Sequence, residues 1–186
     1  SIDDHRAFNF RHIGHHQATD PMSQTAYNII ATRLIAQTPQ YTELYANSKP
    51  RALVVSAYRN VVIHDFTVLG DPYYDYQEQP MIGIQYKARN VTISQLKMSG
   101  FRQAKTDIQI FGGENGAEDV RLRDIRIEDS AKHGITIGPD ITRVKLTNVA
   151  LKGDGTVGLN AKSEPEMERF IATGFKVPIR AQSTQA

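Results

Sequence analysis

The sequence predicts an all-β repeat fold, a parallel β-helix of about seven coils with three short strands per coil, on three observations. Four segments share one gapless apolar pattern, the pattern alternates as strands do, and a shorter alternating piece recurs between them. The segments are RNVVIHDFTVLGD (59–71), RNVTISQLKMSGF (89–101), EDVRLRDIRIEDS (118–130) and TRVKLTNVALKGD (142–154), each reading apolar-x-apolar-x-x-apolar-x-apolar. Their apolar sets are Val61, Ile63, Phe66, Val68; Val91, Ile93, Leu96, Met98; Val120, Leu122, Ile125, Ile127; and Val144, Leu146, Val149, Leu151.

Alternation within each half is the period of a strand with one buried face, and the two-residue break shifts the phase as a corner would. Each unit is therefore expected to be two strands and a bend. Val, Ile and Thr enrichment favours strands, whereas an amphipathic helix would need apolar residues three and four apart throughout. Between the units lies the third strand, marked by Leu53 and Val55, Ile82 and Ile84, Ile108 and Ile110, Ile135 and Ile137, and Val157 and Leu159. The same frame extends to Phe8, Phe10, Ile13, His15, to Ile29, Ala31, Leu34, Ala36, and to Phe170, Ala172, Phe175, Val177, giving rungs with loops of unequal length. Asp65, Gln95, Asp124 and Asn148 occupy the break and are read as structural turn residues that hydrogen-bond along the stack.

One domain is expected over residues 1–186, with less regular coils over 1–50, regular coils over 51–162 and a last coil with a tail over 163–186. Lys plus Arg number 22 against 20 Asp plus Glu, a formal charge of +2 with the signs interspersed, so neither nucleic acid nor an anionic membrane is called for. The chain has no cysteine, which removes disulfides, thiol catalysis and thiolate metal sites together. No apolar run approaches the roughly 18 to 20 residues of a membrane span, and the opening Ser1-Ile2-Asp3-Asp4-His5 lacks signal-peptide character. Exposed strand ends need covering, so the chain is expected to be a fragment of a larger protein or part of a homo-oligomer, a trimer among the options.

HGITIGPDITRVKLTNVALKG, residues 133–153, resembles the coils of the right-handed parallel β-helix of pectin-lyase-like proteins, which often read G-I-x-I, a short turn, then N-V-x-I-x-N-x-x-I. The resemblance implies a polysaccharide partner on the outer face, in a lyase, a hydrolase or a tail-spike depolymerase located outside the cell or on a virion. The alternative is a non-catalytic spike, adhesin or assembly subunit on the same scaffold. Catalysis stays undecided, and no cofactor and no metal are expected.

Enzymes of this superfamily bind along the outward face of the third strand, where Gln109 and Thr136 would meet sugar hydroxyls. Lys132-His133-Gly134 echoes the Gly-His-Gly of polygalacturonase-like members, but the acid pair of those hydrolases is missing. A lyase-type set of Asp107, His133 and Lys105 is the candidate catalytic group, with Arg102 as a further cation for substrate. The loop GDPYYDYQE (70–78) offers Asp71, Tyr73, Tyr74 and Tyr76 as a sugar-binding wall or a subunit contact. It is similar to the Asp-Pro-His-Asp/Glu motif of alginate epimerases, with Tyr73 where the His belongs. His12, His15 and His16 have metal-ligand chemistry, but alternation sends them to different faces, and Gly112 to Gly116 is read as a turn.

Overall fold

The computed structural model describes residues 6–11, 26–37, 51–73, 80–102 and 104–181. Every regular element among them is a strand. One set is short: β1 (Arg6–Arg11), β3 (Arg51–Ser56), β5 (Pro80–Gln85), β7 (Thr106–Ile110), β9 (His133–Ile137), β11 (Val157–Ala161) and β13 (Val177–Ala181). The set alternating with it is longer: β2 (Ala26–Gln37), β4 (Tyr58–Leu69), β6 (Arg89–Ser99), β8 (Glu118–Ser130), β10 (Val144–Gly153) and β12 (Glu166–Thr173). The short strands form a 7-stranded parallel sheet and the long ones a 6-stranded parallel sheet, each in simple chain order.

This corrects the expected architecture. The chain is not a three-strand-per-coil β-helix: each repeat supplies two strands, one to each of two open parallel sheets. The physical reason lies at the phase break. Asp65, Gln95, Asp124 and Asn148 have φ of 59°, 52°, 55° and 52°, in the left-handed region, so the chain turns there while its neighbours stay paired on both sides. Asn and Asp tolerate that region better than other side-chain-bearing residues. What alternation reads as two strands and a corner is one continuous bent strand. A second left-handed column, Asn28, Asn60, Asn90 and Asp119, sits near the strand starts, and the Asn60 amide donates to Asn28 at 3.1 Å as Asn90 does to Asn60 at 2.9 Å.

The four gapless segments pair as aligned through their apolar sets, and a register shift between Leu151 and Gly153 then sets Gly153 opposite Ser130. Ile63, Ile93, Leu122 and Leu146 are register partners, as are Phe66, Leu96, Ile125 and Val149, and all are essentially unexposed. Facing them, Leu53, Ile82, Ile108, Ile135 and Leu159 form the matching column of the 7-stranded sheet. Each such aliphatic contributes about 1.5 to 3 kcal/mol by leaving water, and the core lies between the two sheets.

Two outlying rungs differ from expectation. Phe8 and Phe10 pair with Leu53 and Val55, so they belong to the short-strand sheet, and Ile13 and His15 lie outside the described residues. Phe170 and Ala172 pair with Val149 and Leu151 at the end of β12, whereas Val177 opens β13 beside Val157. Residues 170–177 thus span two strands of different sheets rather than one rung.

Candidate functional site

The outward surface of the 7-stranded sheet is built from rows one residue per strand. Gln109, Thr136, Asn160 and Arg180 form one row in register, each partly or fully exposed. Thr106, His133, Val157 and Val177 form the next, in which Thr106 and Val157 are buried and His133 and Val177 are partly exposed. The Thr106 and Thr136 hydroxyls lie 3.2 Å apart and link the rows. The positions just before the strands stack as well: the His133 amide donates to the Lys105 carbonyl at 3.1 Å, the Thr156 amide to that of Lys132 at 2.8 Å, and the Val177 amide to that of Thr156 at 3.0 Å.

His133 is half-buried, and its imidazole is held below the usual histidine range, first by burial and then by the positive charges of Arg180, Lys105 and Lys132. It is therefore neutral at pH 7, able to donate from one nitrogen and accept at the other. Lys105 is thus close enough for its charge to act on His133.

Asp107 does not join them. Alternation from Ile108 and Ile110 puts its carboxylate outward, yet the residue is 1% exposed and accepts a 2.5 Å hydrogen bond from the Ser130 hydroxyl. Its neighbours in the same position on adjacent strands are Met81 and Gly134, and a Cβ built on Gly134 meets a methyl of Leu151, so the position faces the interior near the end of the long-strand sheet. Burial raises the Asp107 carboxyl to about 8, the Ser130 hydrogen bond lowers it, and the nearby Asp129 raises it again. At neutral pH this group is an uncharged acid facing the core, not a base facing a ligand.

Arg102 is engaged by Asp154 at 2.7 Å. Tyr73 stands 88% exposed, its amide donating to the Asp71 carboxylate at 2.9 Å in a local turn. Tyr74 and Tyr76, and the histidines at 12, 15 and 16, lie outside the described residues. Among the described residues no group of three or more His, Asp or Glu side chains could hold a metal. Arg180 was missed from the sequence because reading 170–177 as a single rung concealed β13; the signal was available in Val177 and Ile179, which repeat the spacing of Val157 and Leu159.

Fold and surface together define an all-parallel two-sheet repeat domain whose described surface offers cations and neutral hydrogen-bonding groups but no facing pair of carboxylates. Comparison with known proteins places that class. No family model matches the chain. It is 43% identical over 162 residues to the putative phage-related protein YobO of Bacillus subtilis, covering 87% of this chain and 20% of that protein. It is 35% identical over 191 residues to the preneck appendage protein of Bacillus phage PZA, covering 99% of this chain and 22% of the relative. Its fold matches the crystal structure of the pre-mature bacteriophage phi29 gene product 12 with a TM-score of 0.85 and 33% identity, over 96% of this chain and 24% of that one. The chain thus spans about a fifth of the length of the curated relatives it matches.

These relatives overturn the pectin-lyase-like resemblance: they are phage appendage proteins and a putative phage-related protein, and no pectin-lyase-like protein is in their number. The motif that suggested it reports the spacing of inward residues, which stacked parallel repeats share whatever their ancestry. The polysaccharide partner rested on the same resemblance and loses its support with it.

Proposed function

We propose that the chain is a structural section of a phage virion appendage, a non-catalytic part of an assembly. The observation that carries this reading is the likeness to phi29 gene product 12 along nearly the whole chain, at 33% identity and a TM-score of 0.85. The architecture is consistent with such a role: two sheets in simple chain order over one apolar core resist local opening, because each inner strand is paired on both sides. Immunogold electron microscopy of the phage that encodes the chain tests the reading. Label on appendages near the neck is expected; purified particles that carry none, or carry it only on the head, overturn it.

Within that assembly the chain associates with further copies of itself through the outer face of β2 and β4. The outward residues there are Ile30, Thr32, Ile35 and Gln37 beside Val62, His64, Thr67 and Leu69, with no Asp, Glu, Lys or Arg. Ile30 and Ile35 are 79% and 70% exposed, and Val62 and Leu69 add to the patch. A contact between identical faces sets like charges against like, so an uncharged face is the one suited to it. Arg33 and Asp65 lie side by side at the bend with opposite sign, and Lys97 of β6 borders the patch beside Thr67. Ile30→Asp with Ile35→Asp should convert the oligomer to monomer in light scattering without loss of the β-sheet circular dichroism signal. A wild type that is monomeric at all concentrations refutes this interface.

A further inference from the structure

We propose that His64 makes self-association through the outer face of β2 and β4 depend on pH: the face pairs with its own image while this imidazole is neutral and separates when it is protonated. The inference rests on the interface reading above and names the group that regulates it. Among the outward residues of Ile30 to Gln37 and Val62 to Leu69 on either side of the bend, His64 is the one that can gain a charge. It lies inside the patch rather than at its rim. Its register partners are Thr32 on β2 and Ser94 on β6, and the pair Ile30 and Val62 forms the neighbouring row. The ring is half-buried, with Nδ1 2.8 Å from the Ser94 hydroxyl. That contact engages Nδ1 within the protein's own sheet and leaves Nε2 as the ring nitrogen without a hydrogen bond among the described residues.

A histidine is neutral at about pH 8 and charged at about pH 5.5. With the ring neutral, two such faces meet without any charge from their outward rows. With it protonated, every copy brings a positive charge to a surface that meets its own image, so like charges are set together. Closing the contact would also take a cation out of water, since those rows carry no carboxylate to receive it. The charged groups around His64 are Asp65 next to it at the bend, Arg33 beside Asp65 on β2, Lys97 beyond Thr67 on β6, and Arg123 beyond Ser94 on β8. Arg123 is in turn 3.4 Å from Asp124. Each carboxylate in this set therefore has an arginine beside it, and Lys97 adds a further positive charge that opposes protonation of the ring.

The test is light scattering over a concentration series at about pH 8 and about pH 5.5, on the wild type, His64→Gln and His64→Lys, with circular dichroism to follow the sheets. The wild type should be assembled at the higher pH, and its dissociation constant should rise about 10-fold or more at the lower one. His64→Gln should stay assembled at both, and His64→Lys should be dissociated at both. Asp107 also takes up a proton as the pH falls, but it is buried behind the other sheet and its protonation favours the fold, so it acts against acid dissociation. The Lys variant at the higher pH reads the charge alone, without acidification. A wild type that is monomeric there at every concentration overturns the interface itself and the switch with it. A wild type equally assembled at both values leaves the interface standing and overturns the switch. So does a Gln variant that dissociates on acidification as the wild type does or is already dissociated at the higher pH, and so does a Lys variant that stays assembled.

Discussion

Asp107 gives the structure its sharpest pH dependence. The carboxyl is raised from 3.8 to about 8 by burial, so the folded protein holds a proton there that the unfolded chain releases above about pH 4. Between those limits the native state binds more protons than the unfolded state, and stability therefore falls as pH rises, with a slope that reaches about 1.4 kcal/mol per pH unit. Below pH 4 the contribution is flat, and above about 8 it flattens again because both states are ionised. From pH 4 to pH 7 the loss amounts to about 4 kcal/mol, at 1.36 kcal/mol per pH unit over roughly three units. That is a large share of the 5 to 15 kcal/mol or so typical of a domain. Asp107→Asn isolates the term, since Asn keeps an oxygen to accept from Ser130 but cannot ionise. Any cost of its extra N–H is independent of pH, so the quantity to follow is the stability of the variant minus that of the wild type. Urea unfolding followed by circular dichroism should show this difference growing by about 1.4 kcal/mol per unit between roughly pH 5 and pH 7 and levelling above about 8. A difference that stays constant from pH 5 to pH 8 would mean that Asp107 ionises normally in the folded protein, and the buried placement would be refuted.

The core and the bends make further predictions. Leu122 is unexposed between Ile93 and Leu146, so Leu122→Asp should abolish the cooperative unfolding transition by burying an unpaired charge, whereas Leu122→Ile should cost under about 1.5 kcal/mol; similar midpoints for the two would contradict the column. Arg169 holds the left-handed bend position with φ 54°, beside Asn148, whose amide donates to Asp124 at 2.7 Å. Arg169→Asn should therefore raise the melting temperature by a few degrees, worth about 0.5 to 1 kcal/mol, because Asn tolerates that backbone better and the exposed pair with Glu168 at 3.8 Å contributes little. A lower melting temperature in a scanning calorimeter would show that the bend does not strain this residue.

Much of the fold was legible because parallel pairing repeats one inward pattern. Where four segments aligned without a gap, their apolar residues are register partners. Strand count was not legible: a phase break in alternation looks the same whether hydrogen bonding stops or continues through a left-handed residue, and only the backbone distinguishes the two. Outlying rungs failed for a related reason. Phe8 and Phe10 carry a spacing common to both strand classes, so a two-residue signal cannot say which sheet it joins. Asp107 failed by a different route, since strict alternation puts it outward while 107 and 108 are both buried. A clue was present in the sequence: the same position on neighbouring strands is Ala52, Met81, Gly134 and Gly158, a set of small or apolar residues suited to an interior corner.

The outward positions explain why function was harder to read than fold. Repetition constrains the inward residues alone, so each stretch of outer surface is free to differ from the next. On the long-strand sheet the outward residues of β2 and β4 on either side of the Arg33–Asp65 bend are uncharged, while β8 places Arg121, Arg123 and Arg126 on the same face. Lys97 and Arg126 are even direct register partners there. Charge was distributed along the sequence with a near-zero sum, which disguised this separation into a neutral face, an arginine-rich face and the basic row beside His133. The register turns a balanced composition into distinct surfaces, and each surface makes its own demand. The neutral face can meet its own image without repulsion, and the basic row cannot. Changing Ile30 and Ile35 should therefore break up the assembly in light scattering, and changing Lys132 and Arg180 should leave it intact. A Lys132 and Arg180 variant that also dissociated the oligomer would show that the two surfaces act as one.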